Sequence, residues 1–174
     1  MSKDEIKALT VDYAWGCGIN PNIALAQINR ESRFNPGANG SSGEKGIAQF
    51  MPGTWVRFGY GDFNNAYDPN YALDAWCAYM QWLLNRYGYN YEKALQGYNG
   101  GEGNVDRGTV SSGARTYARE VLAAAGSDAS GENWPTDVPV AQTNPPLPPP
   151  QETNWMPFAI IGGLALLLIF AISD

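Results

Sequence analysis

INRESRFNPGANGSSGEKGIAQFMPGTW, residues 28–55, carries a glutamate, a loop rich in Gly, Asn and Ser, and an apolar turn ending in Met-Pro. Upstream, Asn20-Pro21 reads as an N-cap followed by the first helical position, which predicts a helix from Pro21 to Ser32. Ala24, Gln27, Ile28 and Glu31 recur at three-and-four spacing and share one side of it. Glu31 therefore lies in the last turn, at the edge of an apolar face. A carboxyl placed there is costly to ionise, so its pKa rises towards the range of a general acid near neutral pH. Cleavage of a glycosidic bond needs such an acid to protonate the leaving oxygen. The plain alternative is a solvated glutamate at a helix end. Residues 34–45 read as a loop or small ribbon, and 46–50 as a short helix.

The pattern extends in both directions. Ser2 and Glu5 fit a capping box, with Ile6, Leu9 and Tyr13 at helical spacing behind it. Asp68-Pro69 opens the longest helix of this part of the chain, carrying Ala72, Trp76, Tyr79, Met80, Leu83 and Tyr87, with Gly88 as its stop. Asn90 caps a helix ending in GYNGG, residues 97–101, and a last helix spans Ser112 to Ala125 before Gly126. No strand of ordinary length and no internal repeat is visible. The fold class is mainly α.

Bulk composition narrows the chemistry. The chain has 174 residues, 44% of them hydrophobic, and a net charge of −6, which argues against nucleic acid as a partner. It contains no His, so neither a His-based triad nor an HExxH zinc site is available. Six Trp and ten Tyr exceed what a core demands, and the surplus suits the flat faces of sugars. Cys17 and Cys77 are read as two buried free thiols, with a single disulfide as the alternative; two Cys make no metal site. The N-terminus has mixed charges and no continuous apolar run, so it does not read as a secretory signal.

Composition changes after Gly126. Residues 127–154 include Pro135, Pro139, Pro145, Pro146, Pro148, Pro149 and Pro150, which rules out helix or central strand. This segment is expected to be a disordered, semi-rigid linker, reaching roughly 85 Å if fully extended as polyproline II. Trp155 to Ile172 carries no charge, and as a helix it would span roughly 27 Å, close to the hydrocarbon thickness of a bilayer. The expected organisation is a catalytic domain at 1–126, a linker at 127–154 and a transmembrane helix at 155–172 that tethers the protein to a lipid membrane. Lys and Arg stop at Arg119, so the positive-inside rule assigns no orientation.

Three motifs together carry a resemblance. Glu31-Ser32-Arg33-Phe34-Asn35-Pro36-Gly37-Ala38, then Gly43-Glu44-Lys45-Gly46-Ile47-Ala48-Gln49-Phe50-Met51-Pro52-Gly53-Thr54-Trp55, then Ala94-Leu95-Gln96-Gly97-Tyr98-Asn99-Gly100-Gly101 follow one another as in the soluble lytic transglycosylase family. The chain resembles that family over roughly Pro21 to Ala125. The resemblance implies a lysozyme-like fold of the α+β superfamily, with a cleft that binds peptidoglycan glycan strands. It implies that Glu31 protonates the oxygen between MurNAc and GlcNAc, then takes the proton of the MurNAc 6-hydroxyl as a 1,6-anhydro ring closes. One acid suffices because the nucleophile is already tethered, and no His is required. By the same carry-over Ser32 steadies Glu31 or the N-acetyl group, and Gln49 and Met51 line the site. Tyr98 and Asn99 fix Glu31 and the sugar from across the cleft, and Tyr117 is a cleft residue. No metal or organic cofactor is implied.

The chain also departs from the family pattern. Glu44 stands where a small residue is usual, Gly40 where a Ser is expected, and Gly113 where a late acid is expected. Glu44 opens a rival reading, a hydrolysing lysozyme with two carboxylates, Glu31 and Glu44. Its plain reading is a solvated loop charge beside Lys45. Asp62 and Asp68 are further second acids, although Asp68 is better explained as an N-cap. A third reading is an inactive, membrane-anchored peptidoglycan-binding module. The expected location is a virion membrane of a bacteriophage or a bacterial inner membrane facing the periplasm, among virion or envelope-complex proteins.

Overall fold

The computed structural model describes residues 1–126. The expected linker and membrane helix lie outside the described residues. Among the described residues no helix is long and apolar enough to cross a membrane.

Among the described residues seven helices form the body: α1 (Lys3–Gly16), α2 (Pro21–Ser32), α3 (Pro52–Phe58), α4 (Pro69–Arg86), α5 (Tyr91–Gly100), α6 (Glu102–Asp106) and α7 (Ser112–Ala125). A 3-10 turn, Phe63–Tyr67, precedes α4. The caps read from sequence are in place. Ser2 and Glu5 make a reciprocal capping box. The side chains of Asn20, Asp68 and Asn90 accept backbone N–H groups at the starts of α2, α4 and α5. Each satisfies a donor that the first helical turn leaves without a partner.

Burial follows the helical spacing. Ile23, Ala24, Gln27 and Ile28 of α2 are fully buried, as are Leu73, Trp76, Met80 and Leu83 of α4. Helix α7 packs on both α2 and α5, and α1 packs on α2 and α4. The packing of α7 on α2 brings the last helix of the domain to the turn that carries Glu31.

The expected helix at 46–50 does not form. Gly46 sits at φ 74° and Gln49 at φ 49°, both in the left-handed region, so the chain turns instead of coiling. A Cβ on Gly46 would come within 1.7 Å of the Ala66 carbonyl oxygen, so only glycine fits. The ribbon reading of the preceding loop holds in reduced form, as two isolated antiparallel bridges, Asn39 with Lys45 and Lys45 with Phe50. The helix starts later, at Pro52, where proline's fixed φ and missing N–H suit a first helical position.

The two cysteines are not free thiols. Cys17, which caps α1, and Cys77 on α4 form a disulfide. Packing of α1 against α4 brings two residues 60 positions apart within bonding reach, which their spacing along the chain could not reveal.

Candidate active site

Glu31 lines an open cleft of about 470 Å³. Its helix ends abruptly. Arg33 and Phe34 both adopt left-handed φ values, 56° and 63°, and turn the chain away directly after the glutamate's turn. Strained backbone of this kind persists where surrounding packing enforces it, and here Phe34 is buried in the core.

Five elements converge on the cleft. Helix α2 supplies Glu31 and Arg30, and the ribbon supplies Gly40, Ser41, Glu44 and Gln49. Met51 enters from the N-cap of α3, Tyr98 and Asn99 from the end of α5, and Gly113 and Tyr117 from α7. Of the residues named from sequence, Gln49, Met51, Tyr98, Asn99 and Tyr117 are thus brought together with Glu31. Ser32 is not among the residues lining the cleft. Its hydroxyl turns back along α2 and donates to the Ile28 carbonyl at 3.4 Å.

The hydroxyl that holds Glu31 is Tyr117's, which donates to Glu31 Oε1. Tyr98 was expected in that place, but its hydroxyl donates to the Ala48 carbonyl at 2.7 Å, tying α5 to the ribbon. Rings beneath brace it: Tyr98 lies 5.1 Å from Tyr79 and 6.3 Å from Phe50 between centroids. Gln49 is spent on backbone, donating from Nε2 to the Gly46 carbonyl at 2.8 Å, which fixes the turn at the cleft wall.

The surroundings of Glu31 favour its neutral form. Burial raises its pKa from 4.5 to about 7. The Tyr117 hydrogen bond and the Arg30 charge pull in the opposite direction, while Glu44 adds a further push upward. Burial also drives the Tyr98 and Tyr117 hydroxyls well above their ordinary range, and the nearby Glu31 charge adds to it. Both phenols therefore stay protonated and serve as donors. Arg30, which sequence reasoning passed over, is held beside the site by an ion pair with Glu120 at 3.0 Å and lies 5.9 Å from the Tyr117 ring centroid.

Glu44 is not simply a solvated loop charge. Its carboxylate accepts the Ser42 N–H at 2.9 Å and folds over Gly40. A Cβ at position 40 would meet Glu44 Oε2 at 2.1 Å. The glycine at 40 and the glutamate at 44 are one coupled departure, because the carboxylate fills the space that a side chain at 40 would need. Asp68 and Asp62 cap α4 and the 3-10 turn, each accepting a backbone N–H two residues on. Among the described residues no group of His, Cys, Asp and Glu has the arrangement to hold a metal ion.

Comparison with known proteins identifies the family of the chain. A curated relative, the soluble lytic murein transglycosylase of Escherichia coli (strain K12), is 29% identical over 100 residues, covering 53% of this chain and 16% of its own length. The protein of the same description from Salmonella typhimurium matches to the same extent. The chain thus spans about a sixth of the length of the curated relatives it matches. A solved complex of the 70-kDa soluble lytic transglycosylase with bulgecin A superposes with a TM-score of 0.63 at 26% identity, over 68% of this chain and 23% of that one. The Slt lytic transglycosylase of Pseudomonas aeruginosa, solved as an inactive glutamate-to-glutamine mutant, shares the fold with a TM-score of 0.61 at 22% identity, over 68% and 23% of the two chains. The family model described as Transglycosylase SLT domain matches residues 9–120, well over half of the sequence. The chain belongs to the transglycosylase SLT domain family.

Proposed function

We propose that the protein is a peptidoglycan lytic transglycosylase that cuts the bond between MurNAc and GlcNAc and leaves a 1,6-anhydro-MurNAc end. The observation that carries this reading is Glu31, whose pKa is raised to about 7 by burial and which lines an open cleft of about 470 Å³. The relatives described as lytic murein transglycosylases, and the bulgecin A complex of one of them, support the substrate class.

A carboxyl with a pKa near 7 is largely protonated at neutral pH and gives its proton to the glycosidic oxygen as the bond breaks. The cation that develops on MurNAc is met by the substrate's own N-acetyl group. Glu31, now ionised and steadied by the Tyr117 hydroxyl, accepts the proton of the MurNAc 6-hydroxyl, and the oxygen closes the anhydro ring. The proton returned restores the acid, and no water is consumed.

The second reading is a two-carboxylate hydrolase, favoured by one observation: Glu44 lines the same cleft. Its carboxylate is engaged by the Ser42 N–H, which suits a fixed wall better than an attacking group. The two are separated by mass spectrometry of muropeptides released from purified peptidoglycan by the full chain and by Glu31→Gln and Glu44→Gln. Anhydro ends with only Glu31→Gln inactive uphold the transglycosylase. Reducing MurNAc ends with both variants inactive establish the hydrolase. An inactive wild type would leave a binding module.

We further propose that residues 155–172 anchor the enzyme to a membrane and that residues 127–154 give it reach into the wall, in a virion or a bacterial envelope. The support is the charge-free apolar run and the proline content of the sequence. Detection of the protein in host membranes and never in purified particles overturns the virion placement.

A further inference from the structure

Gln27 lies on α2 one turn before Glu31 and is fully buried. Its Oε1 accepts the indole N–H of Trp76, also fully buried, at 3.1 Å. An indole N–H donates only, so it fixes the amide's orientation, with oxygen towards Trp76 and nitrogen on the opposite side. That nitrogen is buried and makes no full hydrogen bond. The polar group it faces is the Tyr117 hydroxyl, which in turn donates to Glu31 Oε1.

We propose that Gln27 is a positioning residue that acts through Tyr117 to fix which oxygen of Glu31 carries the transferable proton. This rests on the reading of Glu31 as the acid. A phenol has one proton and its oxygen accepts. With an amide N–H on one side of the Tyr117 oxygen, the phenolic proton is directed to the other side, to Glu31 Oε1. Trp76 thus fixes the Gln27 amide, the amide nitrogen faces the Tyr117 oxygen, and the phenol donates to Glu31. Oε1 accepts whether Glu31 is charged or neutral, so the acid proton resides on Oε2. No atom of Gln27 touches substrate. Its effect is to keep the phenol from turning and to strengthen the hydrogen bond that the ionised carboxylate receives.

The test is a 13C NMR titration of the Glu31 carboxyl in the full chain, alongside the pH profile of peptidoglycan cleavage. Gln27→Met keeps the side-chain length and removes the amide. The Glu31 midpoint is expected to rise by about 0.3 unit, less than the loss of a full neutral hydrogen bond would give. The alkaline limb of kcat/KM is expected to rise with it. In a Tyr117→Phe background, Gln27→Met is expected to add nothing, because the route to Glu31 is already cut. An unchanged midpoint in Gln27→Met, or a rise that persists in full without the Tyr117 hydroxyl, overturns the proposal. If Gln27→Met does not fold, Trp76→Phe leaves Gln27 in place but frees its amide to turn over, and the midpoint is again expected to rise; no rise there overturns it. Should Glu31→Gln cleave peptidoglycan as fast as wild type while the titration shifts as expected, the general-acid reading fails and the Gln27 relay stands.

Discussion

Glu31 should cost the fold stability above neutral pH, and replacing it should return that stability. Its pKa rises from 4.5 to about 7 on folding, with burial as the main cause. Between those values the folded chain holds a proton that the unfolded chain has released. Stability therefore falls as pH rises through this window, and the loss is complete above about 7. A rise of about 2.5 units at about 1.4 kcal/mol each corresponds to roughly 3 kcal/mol. Glu31→Gln is neutral at every pH and can still accept the Tyr117 hydrogen bond, so it escapes this cost. For a domain of this size the difference corresponds to roughly 10 °C in Tm. The assay is thermal or denaturant unfolding of wild type and Glu31→Gln from pH 4 to pH 9. Taking the difference between the two proteins cancels the titration of every other carboxyl, including Asp74, whose pKa burial also raises. The expected curve is near zero below pH 4.5, climbs in favour of Glu31→Gln to about pH 7, and is flat beyond. A difference that stays flat across the range, or that favours wild type at pH 8, refutes the claim that the site forces a carboxyl into a place where its charge is unwelcome.

Tyr117→Phe removes a hydrogen bond that favours ionised Glu31, so the alkaline limb of the pH–activity profile should move up by about one unit or more. An unmoved limb counts against the contact. Reducing the Cys17–Cys77 disulfide opens a 60-residue loop, worth about 4 kcal/mol in chain-entropy terms, and Tm should fall by roughly 15 °C when melts with and without reductant are compared. Gly46→Ala should lower stability by more than about 2 kcal/mol in urea titration, since it combines a left-handed φ with a clash against the Ala66 carbonyl.

The sequence by itself determined the helices that begin with a cap and bury a periodic face. Asn20-Pro21, Asp68-Pro69 and Asn90 announce α2, α4 and α5 because an N-cap is local chemistry, complete within four residues. Glu31 was legible for the same reason, since helical spacing places it at the edge of the Ala24, Gln27 and Ile28 face. The glutamate loop and Tyr98-Asn99 were legible as motifs. Their partners were not. Residue types alone do not say that Tyr117 rather than Tyr98 holds Glu31; that follows from α7 lying against α2, 86 residues away along the chain. The same holds for the disulfide, where α1 must first pack on α4. The turn at 46–49 defeated the helix reading because left-handed Gly46 answers to the approach of the Ala66 carbonyl from another part of the chain. Glu44 folded over Gly40 through a space that exists only once the ribbon has closed. Local hydrogen bonds and periodicity can be read along the chain. Which hydroxyl reaches the acid, and how far burial raises its pKa, are decided only when distant helices exclude water together.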